Sequence, residues 1–143
     1  MREYKSLSHT TWDCKYHVVF IPKRRKKVIY GSLRQYLGAI FHEPAGYKDV
    51  EIEEGHLCVD HVHMCLSIPP KYAVSSIVGY LKGKSAIAIA RQFRGKERHF
   101  TGENFWARGY FVSTVGLDEA TVRAYIRTQE AEEARYEQMK LGV

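Results

Sequence analysis

The chain has little of what staples, anchors or addresses a protein. It holds only three cysteines, Cys14, Cys58 and Cys65. An odd number with no Cys-x-x-Cys spacing speaks against a disulfide framework. The longest uncharged apolar run falls well short of a membrane span, and no charged-then-apolar signal opens the chain. No membrane is therefore expected among its partners, and the cytoplasm is the default compartment. Internal repeats and low-complexity segments are lacking too. What is present is a chain of 143 residues, 45% of them hydrophobic, enough for one folded domain over 1–143 with a real core.

The net charge of +6 is uneven. Glu130, Glu132, Glu133 and Glu137 crowd the last residues against Arg135 and Lys140, so the body up to Gln129 keeps 20 of the 22 cations and 12 of the 16 acids. A basic body points to a polyanion, with nucleic acid the leading candidate.

Cys14 to Ile21 is rich in β-branched and aromatic residues and reads as a first strand, stopped by Pro22. Lys23-Arg24-Arg25-Lys26-Lys27 follows. Such a run is either a solvated loop or a set of phosphate contacts. Ser32 can cap a helix to about Glu43, with Leu33, Tyr36, Leu37, Ile40 and Phe41 at helical spacing and Pro44 and Gly46 to end it. Val50 to Glu53 alternates as a second strand, joined through Gly55 to a third, its antiparallel neighbour. A long amphipathic helix is predicted from about Val74 to Arg94; Lys82 and Lys84 lie on it, and Gly79 and Gly83 suggest close packing. After a loop to Asn104, Phe105 to Val115 reads as a fourth strand, bulged at Gly109, with its aromatics in the core rather than stacked on bases. Gly116 breaks it, Asp118 caps a last helix to about Met139, and Leu117 and Val122 form a hydrophobic staple. The order βαββαβ plus one helix is α+β, a ferredoxin-like (RRM-like) antiparallel sheet.

The third strand carries the strongest signal. In Asp60-His61-Val62-His63-Met64-Cys65-Leu66-Ser67-Ile68, the residues Val62, Met64, Leu66 and Ile68 make one apolar row. His61, His63, Cys65 and Ser67 make the other. Two imidazoles then stand about 7 Å apart at Cα on the face away from the core. Neutral imidazole is a common transition-metal ligand, and a pair on one rigid strand is a half-site. Two solvent-facing histidines are the bland reading. A zinc site of His61, His63 and Cys65 ranks below it, because three ligands on one strand face point in parallel. On the last helix Tyr125 and Gln129 are four apart and share a face, a phenol and an amide oxygen side by side.

Together these features resemble the HUH single-tyrosine transposases of bacterial and archaeal insertion sequences, the IS two-hundred branch. The resemblance runs through Lys15-Tyr16-His17-Val18-Val19-Phe20 with Pro22-Lys23, then Asp60 to Met64. It continues in Gly79-Tyr80-Leu81-Lys82-Gly83-Lys84-Ser85, Phe105 to Tyr110, and Tyr125-Ile126-Arg127-Thr128-Gln129. One departure is Glu43-Pro44-Ala45-Gly46, where the family's first helix is expected to continue.

The resemblance implies that His61 and His63 hold a divalent magnesium or manganese ion with Gln129 as third ligand, and that Tyr125 is the nucleophile. It implies single-stranded DNA as substrate and DNA hairpins at element ends as partners. Lys23, Arg24, Arg25, Lys26, Lys27, Lys82 and Lys84 are the candidate contacts. It also implies a homodimer with composite active sites, Gly116 giving the tyrosine helix freedom to cross between subunits. Two other readings stay open: a non-catalytic single-strand-binding module, and a domesticated nuclease acting on dispersed repeats.

Overall fold

The computed structural model describes residues 5–7, 10–93 and 105–115, together with the helical positions Ala124, Arg127, Thr128 and Ala131. The expected loop before Phe105, the Gly116 break, the Asp118 cap, the Leu117–Val122 staple, Tyr125 and Gln129 lie outside the described residues.

A hairpin not foreseen in the sequence opens the fold, pairing β1 (Lys5–Leu7) with β2 (Thr10–Trp12). The main sheet is built from β3 (Lys15–Phe20), β4 (Glu51–Cys58), β5 (His61–Ser67) and β6 (Phe111–Thr114). Its order is β4–β5–β3–β6 and every pairing is antiparallel. The helices α1 (Gly31–Tyr47) and α2 (Val74–Gln92) complete a ferredoxin-like α+β fold.

The alternation of β5 decides which face they cover. Val62, Met64, Leu66 and the following Ile68 are buried with Val18 and Phe20 of β3 against Leu33, Leu37 and Phe41 of α1 and Ile77, Leu81 and Ile89 of α2. Burying each such side chain contributes roughly 1.5–3 kcal/mol. That is enough to fix the register, since a slip of one residue would turn the histidines inward. Phe105 and Trp106 belong to this core as expected, with Trp106 edge-on to Phe20 at 4.7 Å between ring centroids. The indole Nε1 donates to Ser85 Oγ at 3.0 Å, which accounts for a buried serine in α2.

Four boundaries differ from the sequence reading, the first being the start of α1, where Tyr30 and not Ser32 is the N-cap and no side chain caps the helix. Helix α1 does not end at Pro44 but runs through it to Tyr47, with Pro44 and Ala45 both buried. Its true terminator is Asp49, left-handed at φ 55°. The N–H of Val50 donates to Ala45 O at 3.0 Å and that of Asp49 to Gly46 O at 3.2 Å, a Schellman pair closed by the buried Ala45 and Val50 side chains. Strand β4 passes straight through Gly55 to Cys58, and its irregularity lies between Ile52 and Glu54. At the other edge, Gly109 adopts φ 80° and delays β6 until Phe111. Residues 105–107 follow the end of β3 through isolated bonds instead, Lys23 N to Phe105 O at 2.8 Å and Ala107 N to Ile21 O at 2.9 Å. Among the described residues Gly79 and Gly83 have no close neighbour: a Cβ at either would meet no described atom within 4 Å.

Candidate metal centre on the outer sheet face

The face turned away from the helices is where the chemistry gathers. The strand register places His56 of β4 opposite His63 and Cys58 opposite His61. From the other side β3 contributes His17, opposite Cys65 and diagonal to His63. His63 Nε2 lies 3.2 Å from His17 Nδ1, so one of those nitrogens carries the hydrogen and the other accepts it. The His56 ring stands 6.1 Å from that of His63, centroid to centroid, and its Nε2 is bonded to Glu54 Oε1 at 2.9 Å. Beside them Val19, Ile21 and Ala107 are buried under Phe111, a small apolar floor on the same face.

His61 is held differently. Its Nδ1 sits 2.9 Å from Asp60 Oδ1, and the other oxygen, Oδ2, is 2.9 Å from Arg25 Nε. A carboxylate there accepts the Nδ1 hydrogen and leaves Nε2 as the lone-pair nitrogen, the arrangement usual for a metal-ligating imidazole. Burial pushes the Asp60 carboxyl upward, but the His61 bond and the nearby Arg25 charge outweigh it and hold it below the usual carboxylate range. Burial pushes His63 down from the ordinary imidazole value, and its histidine neighbours push the same way. Both effects favour what a metal needs, a neutral imidazole and a charged outer carboxylate.

Among the described residues, no three or more His, Cys, Asp or Glu side chains come together to hold a metal. The zinc reading through Cys65 is thereby corrected; burial also pushes the Cys65 thiol up, away from thiolate. A metal on this face needs a ligand from elsewhere, and Gln129 and Tyr125 lie outside the described residues.

The cations divide into two groups. Lys23, Arg24 and Arg25 form a 3-10 turn after Pro22, with Arg24 and Lys27 exposed. Arg25 instead turns its Nε to Asp60. Lys82 is engaged within the fold: its Nζ donates to Ala107 O at 2.7 Å and to Gly109 O at 2.8 Å, tying α2 to the approach to β6. Lys84 is exposed, with its Nζ 5.8 Å from the Tyr80 ring centroid. His17 and His56 escaped the sequence reading because only the strand register reveals them. His17 alternates with Tyr16 and Val18 as His63 does with its neighbours, and that was the available signal.

A ferredoxin-like sheet bearing paired histidines on a central strand, in a basic chain, is the arrangement expected above, and comparison with known proteins places it in the class of DNA-transposing enzymes. The family model described as "Transposase IS200 like" matches residues 10–129. The transposase for insertion sequence element IS200 of Salmonella typhimurium is 45% identical over 141 residues, 99% of this chain and 93% of the relative. The ISDra2 transposase TnpA of Deinococcus radiodurans is 28% identical over 123 residues, 85% of this chain and 88% of that one. A crystal structure of a candidate transposase from Deinococcus radiodurans R1 superposes with a TM-score of 0.77 at 27% identity, covering 87% of this chain and 97% of that one. A REP-associated tyrosine transposase, solved bound to a REP hairpin, shares the fold at a TM-score of 0.54 and 14% identity, over 87% of this chain and 68% of its own. The chain is a member of the IS200-like transposase family, and its activity is DNA transposition.

Proposed function

We propose that this transposase cuts and rejoins single-stranded DNA at the ends of its element through a tyrosine–DNA intermediate. The observation that carries the reading is the His61–His63 pair on the outer face of β5, with His61 Nδ1 engaged by Asp60 and His63 kept neutral by burial. These donors fit a divalent magnesium or manganese ion, with Gln129 as the third protein ligand. Such an ion, when bound, supplies Lewis-acid polarisation of the scissile phosphate.

The chain's own residues do the rest. The Tyr125 oxygen attacks phosphorus in line, its proton passes to solvent, and the bond from phosphorus to the 3′ oxygen breaks. That oxygen takes up a proton from solvent and leaves as a free 3′-hydroxyl, and the 5′ phosphate stays on Tyr125. The phosphodiester link is conserved, so a second 3′-hydroxyl reverses the attack and joins new strands without a nucleotide cofactor. Lys23, Arg24, Lys26, Lys27 and Lys84 are the cations for the DNA backbone and for hairpins at the element ends. Phe105 and Trp106 are buried, which leaves them no part in a base-stacking platform.

The working unit we propose is a homodimer in which the Tyr125 helix of one subunit completes the histidine site of the other. The decisive experiment incubates the protein with single-stranded DNA from the element's own ends and magnesium, followed by a denaturing gel. Wild type yields a covalent adduct and Tyr125→Phe does not. Adduct formation by the variant would move the nucleophile elsewhere, with Tyr110 next to test. Mixing His61→Ala with Tyr125→Phe protein restores cleavage only if sites are shared between subunits. No recovery, once subunit exchange is shown independently, places Tyr125 in its own subunit's site.

A further inference from the structure

The basic run after β3 and the histidine strand meet at one point. Arg24 and Arg25 stand consecutively in the left-handed region, at φ 59° and 49°. Non-glycine residues held there cost roughly 1–3 kcal/mol each and persist only where the surroundings over-determine them. The turn they make aims Arg25 across to the β4–β5 connection, where its Nε lies 2.9 Å from Asp60 Oδ2. The other oxygen of Asp60 is 2.9 Å from His61 Nδ1. Arg25 and Asp60 are mostly covered, with side chains 23% and 16% exposed, so the pair is shielded better than a surface ion pair. A simple staple between the turn and the hairpin does not require the carboxylate to be shared with an imidazole. The backbone already provides one, Ile29 N to Val59 O at 3.0 Å.

We propose that Arg25 and Asp60 are positioning residues for His61, Asp60 fixing the tautomer that presents Nε2 as the ligating nitrogen and Arg25 fixing Asp60. This rests on reading His61 and His63 as a metal half-site. It takes Arg25 out of the phosphate-binding run and makes it part of the metal centre's outer support. A carboxylate so placed also raises the basicity of the imidazole it holds, and the loss of such partners costs metal affinity by about 10–100-fold.

The test combines manganese calorimetry with nitrogen-15 NMR of the His61 ring in the metal-free protein. Wild type shows hydrogen on Nδ1. Asp60→Asn keeps the side-chain volume, loses the tautomer bias and weakens manganese binding by about 10–100-fold. Arg25→Gln weakens binding less, and the Asp60→Asn/Arg25→Gln double variant binds as Asp60→Asn alone, because Arg25 acts through Asp60. Hydrogen on Nε2 in wild type overturns the proposal without any variant. An Asp60→Asn protein with unchanged tautomer and affinity overturns it, while wild-type manganese binding leaves the half-site reading standing. Additive losses in the double variant remove Arg25 from the relay. If His61→Ala binds manganese as wild type does, the half-site itself fails and the relay falls with it.

Discussion

Replacing Lys82 by methionine separates a structural cation from a DNA-binding one. The lysine ammonium donates to Ala107 O at 2.7 Å and Gly109 O at 2.8 Å, and it lies 5.8 Å from the centre of the Phe20 ring. Methionine preserves most of the apolar stem and its packing on that ring but leaves both carbonyls without the charge. Hydrogen bonds to a charged group contribute about 1.5–3 kcal/mol each. The bond to Gly109 lies in an exposed setting, so the pair is worth roughly 2–4 kcal/mol rather than the full sum. For a chain of this size each kcal/mol lowers the melting temperature by about 3–5 °C, which sets the expected fall near 10 °C. Thermal unfolding reads the first effect, and hairpin affinity measured over a salt series reads the second. The salt slope is expected to stay at the wild-type value. A melting temperature unmoved by the substitution, with a slope reduced by roughly 0.7–0.9, would refute the structural role and return Lys82 to the DNA.

Three further predictions concern the site. His61→Ala and His63→Ala abolish manganese binding and strand cleavage, whereas Gln129→Ala weakens both less because an amide is the poorest of the three ligands; equal calorimetric affinity in wild type and all three variants would remove the metal site. Neutralising Lys23, Arg24, Lys26 and Lys27 while keeping Arg25 lowers the salt slope of hairpin binding by roughly 0.7–0.9 for each phosphate that no longer meets a cation, and an unchanged slope would make the run a solvated turn. His63 has its imidazole held below the ordinary value of 6.5, chiefly by burial. Its contribution to stability is therefore complete above that pH and is lost as pH falls from there through the folded protein's lower value. Denaturant midpoints between about pH 7.5 and 5.5 should fall more in wild type than in His63→Gln, and parallel curves would refute the assignment.

Much of this was legible in the sequence because it follows from periodicity. The alternation through Val62, Met64, Leu66 and Ile68 fixed the buried face of β5 and thereby the outward face of His61 and His63. The helix positions Leu33, Leu37 and Phe41 fixed the packing face of α1. What the sequence concealed depends on the third dimension. Helix α1 passed Pro44 because burial of Pro44 and Ala45 offsets one lost backbone bond, and no local rule weighs that burial. The partners of the site were hidden for the same reason. His17 meets His63 only through the β3–β5 register, and Arg25 meets Asp60 only because two left-handed residues turn it there. A run of five cations looks uniform when written in one line, but in the fold Arg25 is drawn to Asp60 while Arg24 and Lys27 are exposed.

The sheet has an edge at β4, whose outer side pairs with no other described strand. An open edge invites a second copy to add itself strand by strand. Here the edge begins with Glu51, Glu53 and Glu54, and the irregularity between Ile52 and Glu54 breaks its regular pleat. Lys5 pairs with Glu51 and occupies the start of the strand from within the same chain. A strand added along the start of β4 would meet three carboxylates and a kinked ladder and would first have to displace Lys5. Strand addition at the start of β4 therefore has an internal competitor, the Lys5–Glu51 pair, and an irregular ladder to match.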